Sequence, residues 1–211
     1  MIAAIIQARM GSERLSGKVL MDIEGKPMLQ RVIGRVSDSQ LIKDIVVATS
    51  TRIENKPIVD LARRLGCLVY AGSELDVLDR FYAAATLFEI DPIVRITGDC
   101  PLIDPQVIDE TLGTFLNTKI DYLYNVPPFV DGLDVEVFSY EALKKTWLEA
   151  TEREHVTTSM KNFSTKRMQC DNLLSQSCHW SVDTLEDLEF VRMVYRKLGD
   201  KFSWFEILGV L

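Results

Sequence analysis

The chain has 211 residues and a formal net charge of −7, with 47% hydrophobic and 26% charged residues. That size suits one α/β domain with a substantial core, and the acidity excludes a general nucleic-acid surface, which needs a basic footprint across a face. No apolar run approaches the roughly 20 residues that span a bilayer, and the start lacks the layout of a secretory signal, so a cytoplasmic protein without a membrane partner is expected.

The apolar run Ile2–Ile6 reads as a buried strand. Directly after it comes Gln7-Ala8-Arg9-Met10-Gly11-Ser12-Glu13-Arg14-Leu15-Ser16-Gly17-Lys18, a loop in which Arg9, Arg14 and Lys18 sit among two glycines and two serines. Backbone N–H groups can approach an anion closely there while the cations neutralise it, which is the chemistry of a polyphosphate cradle. Gly11 and Gly17 are separated by five residues, and Val19 follows Lys18, so this is not a P-loop; nor does Gly11 have the partner that a dinucleotide fingerprint requires. A solvated basic turn is the rival reading, but it does not account for three clustered cations in an acidic chain.

Pro27 opens a helix whose apolar positions Met28, Leu29, Val32, Ile33 and Val36 fit a 3.6 period, ending at residues 37–39. Ile45–Thr49 is a second strand, followed by a helix over 57–65 that Gly66 closes. Cys67–Tyr70 is a third strand, 71–73 a turn, 76–88 a helix and Ile93–Thr97 a fourth strand. Apolar strands alternating with helices predict a parallel sheet covered on both faces, with ligands outside the carboxyl ends of the strands. The loops at 7–19, 71–79 and 97–104 therefore belong to one site.

A further helix runs from Pro105 to about residue 118, and 121–125 makes a strand before Pro127-Pro128 breaks the alternation. Val135–Phe138 reads as a strand, 140–151 as a helix, 152–156 as the start of another helix, and His179–Val182 as a last strand leading into a helix over 185–198 that Thr184 and Asp187 cap. The cysteines, Cys67, Cys100, Cys170 and Cys178, lack C-x-x-C spacing and read as reduced thiols.

Asp99, in Gly98-Asp99-Cys100-Pro101-Leu102, follows a strand at the sheet's ligand edge and suits a Mg²⁺ site against an α-phosphate. The rival role is a helix cap, but Asp104, just before Pro105, fills that role better and leaves Asp99 free. Asp183 repeats the pattern in Trp180-Ser181-Val182-Asp183-Thr184-Leu185-Glu186-Asp187-Leu188, where on sequence alone a capping role outranks a metal role.

The loop at 8–18 resembles the signature of sugar nucleotidyltransferases, most closely the cytidylyltransferases that make CMP-KDO and CMP-sialic acid, and among them the spore-coat polysaccharide branch. Ser16 departs from the family's usual proline, which leaves the cations in register in a less rigid loop. The resemblance implies a Rossmann-like three-layer α/β/α fold of the nucleotide-diphospho-sugar transferase type, with residues 120–180 as a sugar-binding and dimerisation insertion. It implies an enzyme that uses CTP, a sugar and Mg²⁺, and suits a homodimer. Ala8, Arg9, Gly11, Ser12, Arg14 and Lys18 would meet the triphosphate, with Arg9, Arg14, Lys18 and Asp99 catalytic. Residues 71–80 match the segment that meets cytosine and ribose, so Gly72, Ser73 and Asp79 join the nucleotide set, although Asp76, Asp79 and Arg80 suit a cap and an exposed helix pair equally well. The element V-D-T-x-E-D-L raises the metal role of Asp183 above capping, beside Asp99. The elements Gly132-Leu133-Asp134-Val135-Glu136 and Glu152-Arg153-Glu154-His155 would face the acceptor sugar, giving Asn125, Asp134, Glu136 and His155 as substrate contacts. His179 receives no task. A glycosyltransferase with the same sheet would carry a D-x-D motif after a central strand, which is lacking, and a non-catalytic nucleotide module has no need of both Asp99 and Asp183.

Overall fold

β1 (Ala3–Gln7) shows how the two cores arise: Ala4 and Ile6 pack on one face of the sheet, Ala3 and Ile5 on the other. Alternate residues of a strand point to opposite faces, so a strand that is apolar throughout needs cover on both. The computed structural model describes residues 1–12, 14–169 and 179–210. After β1 come a small hairpin, β2 (Asp22–Ile23) and β3 (Lys26–Pro27), then α1 (Met28–Ser37), β4 (Asp44–Ser50), α2 (Lys56–Arg64) and β5 (Leu68–Gly72). α3 (Val77–Leu87), β6 (Ile93–Thr97) and α4 (Pro105–Leu116) follow, then β7 (Tyr122–Tyr124), β8 (Glu136–Phe138), α5 (Tyr140–Glu149), β9 (Thr165–Arg167), α6 (Leu185–Leu198) and α7 (Trp204–Leu208).

The sheet has seven strands in the order β5-β4-β1-β6-β8-β7-β9. Neighbours pair in parallel except at β8, which runs against both β6 and β7. The mostly parallel α/β architecture expected from the sequence is therefore present. Because the chain moves outward from β1 to β4 and β5 and then returns to place β6 on the other side of β1, the topological switch point lies between β1 and β6, where such sheets bind ligands.

Three local expectations are corrected. Ala71 and Gly72 belong to β5, where Ser50 pairs with Gly72, and not to a turn. Residues 152–156 do not start a helix: the Glu152 carboxylate accepts the N–H groups of Glu154 at 2.6 Å and His155 at 2.9 Å and closes a turn, while Arg153 is drawn off to Asp76. The one helical turn here lies later, at Thr158–Asn162. His179–Val182 is not a ladder strand: it makes an isolated bridge at His179 and bends at Ser181, and Trp180 N donates to Asp131 O while Val182 N donates to Asp99 O, two separate segments. The reduced-thiol reading holds for Cys67 and Cys100, which are free, while Cys170 and Cys178 lie outside the described residues. The capping expectations hold, with Asp104 accepting from Gln106 N at 2.7 Å and Thr184 and Asp187 forming a reciprocal box.

Candidate active site

The loop after β1 is folded back by its own backbone, since Ser12 N and Gly17 N both donate to Met10 O at 2.9 Å. Gly17 turns at φ +71°, a conformation other residues rarely adopt, and aims Lys18 inward. Opposite, Gly98 lets the loop after β6 lie against β1: an added Cβ would come within 2.8 Å of Gln7 O. Val182 N donates to Asp99 O at 2.9 Å, so three distant segments meet at one point.

At that point sits the ammonium of Lys18, 6% exposed, donating to Asp99 Oδ2 at 2.6 Å, Val182 O at 2.7 Å and Asp183 Oδ1 at 2.9 Å. Burial acts to lower its pKa, but Asp99 and Asp183 outweigh it and the net shift is upward. Asp183 Oδ2 meets Arg14 at 2.8 Å and His179 Nε2 at 3.3 Å, and His179 Nδ1 lies 3.2 Å from Asp131. Asp187 caps α6 and accepts from the N–H of Asp183, so Asp183's own carboxylate is left to face the site.

A cavity of about 430 Å³ opens beside this cluster, with Ala8, Arg9, Ser12, Arg14, Lys18, Asp99 and His155 in its wall. The loops after β1 and β6 and the start of α3 all contribute, as the single-site expectation requires. Arg9 faces Glu74 at 3.5 Å and Glu154 at 3.9 Å. Gly11, Gly72 and Ser73 do not line the cavity; Ser73 instead braces the start of α3, its Oγ accepting from Asp76 N at 3.0 Å. Asp79 turns away, accepting from the Trp147 indole at 2.8 Å where Tyr82 stacks on Trp147.

Sequence reasoning left Arg80 evenly balanced between a place in the site and an exposed helix pair. It lines the cavity at 2% exposure, spends one N–H on Ser73 O at 2.9 Å, leaves Nε without a partner and has no carboxylate in ion-pair range among the described residues. Burial pulls its pKa down. A guanidinium taken out of water with donors unmatched is poised for an acceptor from outside the chain. The available signal was its place one turn into the helix after β5, at the ligand edge.

The acceptor-side candidates are differently employed. Asn125 is fully buried, bonded at 2.7 Å to both Leu133 O and Val135 N, and staples the loop 125–135. Glu136 is ion-paired to Arg95 and accepts from Tyr122 OH and, at 2.8 Å, Thr157 Oγ. Although burial alone would raise it, these partners hold the Glu136 carboxyl below its ordinary range. Burial pushes Asp134 up to about 6, against the opposing pull of the Gly132 N–H, which donates to it at 2.6 Å. His155 alone of this set reaches the cavity wall.

No group of three or more His, Cys, Asp or Glu side chains able to hold a metal occurs among the described residues. The donor set around Lys18 is nevertheless all oxygen, two carboxylates and a carbonyl, which fits a hard cation that completes its shell with phosphate and water.

A cationic loop at the switch point of a doubly wound sheet, facing paired carboxylates, defines a nucleotide-handling α/β protein. The cytidylyltransferase family model matches residues 3–198, and the chain belongs to that family. It is 30% identical to the spore coat polysaccharide biosynthesis protein SpsF of Bacillus subtilis over 95% of this chain and 88% of that protein. It is 44% identical to an uncharacterized protein of Methanocaldococcus jannaschii over 74% of this chain, spanning only 65% of that relative's length. A solved cytidylyltransferase from Leptospira borgpetersenii superposes with a TM-score of 0.94 at 30% identity, covering 99% of this chain and 92% of that one. The CMP-KDO synthetase structure, at 18% identity and a TM-score of 0.70 over 93% of this chain and 98% of that one, shares the fold.

Proposed function

We propose that this cytidylyltransferase activates a sugar acid by transferring CMP from CTP with release of pyrophosphate, supplying cell-surface or spore-coat polysaccharide synthesis in the cytoplasm. The observation that carries the reading is the meeting of Lys18, Asp99 and Asp183 at the mouth of a cavity lined by Arg9, Arg14 and Arg80. Support for CTP and a sugar substrate comes from the names of the relatives, which include SpsF and CMP-KDO synthetase.

In this reaction an acceptor oxygen attacks the α-phosphorus, the bond to the bridging oxygen of pyrophosphate breaks, and no enzyme nucleophile is needed. Phosphoryl-type transfer asks a protein mainly for positioning and charge stabilisation. Arg9, Arg14 and Lys18 neutralise the triphosphate, and Arg80 supplies an acceptor-seeking guanidinium to the bound nucleotide. Asp99 and Asp183 would hold Mg²⁺, which when bound polarises phosphate oxygens. His155 stands where it can meet the acceptor. A homodimer formed through residues 120–180 is part of the reading and is checked by sedimentation; Leu148 there is 66% exposed.

The test is pyrophosphate release measured with CTP, UTP, ATP and GTP against a panel of sugar acids and neutral sugars. Turnover with CTP and a sugar acid is expected; turnover with another nucleotide, or with no sugar in the panel, would overturn it.

A further inference from the structure

Building on that reading of the site, we infer that Lys18 is a stand-in for the divalent cation and keeps the carboxylate pair closed to metal until a nucleotide arrives. An ammonium has three N–H donors, and here all three are spent on oxygens: Asp99 Oδ2 at 2.6 Å, Val182 O at 2.7 Å and Asp183 Oδ1 at 2.9 Å. Those oxygens are the hard donors that Mg²⁺ and Mn²⁺ select over nitrogen or sulfur. They surround one point, and Lys18 Nζ occupies it. Mg²⁺ binds oxygen at about 2.0–2.1 Å, so an ion drawing on Asp99 and Asp183 cannot share them with an ammonium already at contact distance. Metal and Lys18 exclude one another.

What would move Lys18 is on the same cavity wall. Lys18 lies beside Arg9 and Arg14, which also face the cavity, and its four-carbon stem is flexible enough to turn from the carboxylates to a concentrated negative charge. A polyphosphate seated among these cations offers Lys18 new oxygens and brings charge that favours the ion. Two anionic side chains held together without any cation would repel, so the lysine also keeps the nucleotide-free site intact. Metal binding and nucleotide binding are then linked, and each tightens the other.

The experiment uses nucleotide-free protein, Mn²⁺ as probe, and no sugar, so its outcome is separate from that of the transfer assay. Free Mn²⁺ is followed by electron paramagnetic resonance and folding by thermal melting in EDTA and in Mn²⁺. Wild type is expected to show no tight Mn²⁺ site and a melting temperature indifferent to the ion. Lys18→Met should bind Mn²⁺ on the order of tenfold or more tightly than wild type and should melt higher with Mn²⁺ than in EDTA, since a ligand specific to the folded state stabilises it. Lys18→Met with Asp99→Asn should lose that gain. Tight Mn²⁺ binding by nucleotide-free wild type overturns the inference whatever the variants do. So does a Lys18→Met protein that gains no Mn²⁺ affinity, or one that Mn²⁺ cannot bring to a folded state.

Discussion

The two ends of the sheet are built on different principles. The half made of β5, β4, β1 and β6 is a run of parallel, apolar strands whose following loops carry the cations and carboxylates. The half made of β8, β7 and β9 has strands of three residues each and rests on buried polar links, the Arg95–Glu136 pair with Tyr122 and Thr157, and the Asn125 staple. In the first half polar groups are held ready for a ligand; in the second they are consumed by the fold. Substitution of residues that look alike in sequence should therefore fail in different ways.

The largest effect is expected from Glu136→Gln, which leaves the half-buried Arg95 without its counter-charge and should cost about 3 kcal/mol of stability by chemical denaturation. Nucleotide affinity of the folded fraction should be unchanged; a stable variant with weakened sugar use would instead make Glu136 a substrate contact. Next come Asp99→Asn and Asp183→Asn, each expected to fold, keep nucleotide binding and lose on the order of a hundredfold in turnover. Acting on one site, the pair together should lose less than the product of the single losses, and full multiplicativity in steady-state kinetics would separate their roles.

Arg80→Met keeps the volume and removes the unmatched donors, so CTP should bind about tenfold more weakly by calorimetry, a difference of about 1.4 kcal/mol, with melting unchanged or raised. Unaltered affinity would return Arg80 to a purely structural task. The smallest effect concerns Asp134. Its folded pKa of about 6 lies above the ordinary 3.8, so the folded state binds the proton more tightly, and this group costs stability above pH 6, a cost that disappears as pH falls toward 4. Asp134→Asn should be more stable than the parent at pH 7.5 and no more stable near pH 4 in urea melts. An equal gain at both pH values would show that the carboxylate's charge is not the cause.

The same contrast governs what could be read in the sequence. β1, β4 and β6 are legible because burial on both faces demands unbroken apolar runs, and the caps at Asp104 and Thr184 because their partners lie within three residues. The basic loop is legible because Arg9, Arg14 and Lys18 lie close together in the sequence. β9 was not, since a Thr-Lys-Arg edge strand with two exposed positions has no hydrophobic pattern, and β2, β3 and the five-residue α7 are too short to have a period. Glu136 looked like a free sugar contact because its partner Arg95 is 41 residues away. Arg80 stayed undecided between the site and a solvated helix face because nothing in its helix announces the wall that buries it. Helical turns at 152–156 were overestimated because a glutamate side chain competes for the same N–H groups a helix would use.

The reversed strand β8 gives the molecule a seam. It pairs with β6 on one side through Phe138, Val137 and Glu136, and with β7 on the other through the same three residues. Beyond it, the chain meets the parallel half through that three-residue ladder, through the Trp147–Asp79 bond between α5 and α3, and through Arg153, which pairs with Asp76 and accepts from Leu78 N at its carbonyl. Residues 120 to 168 thus stand apart from the register of β1, β4 and β6, which is set by parallel pairings among those strands alone. On the proposed reading, a chimera that swaps this segment for a relative's should change the acceptor and leave the nucleotide preference as it was.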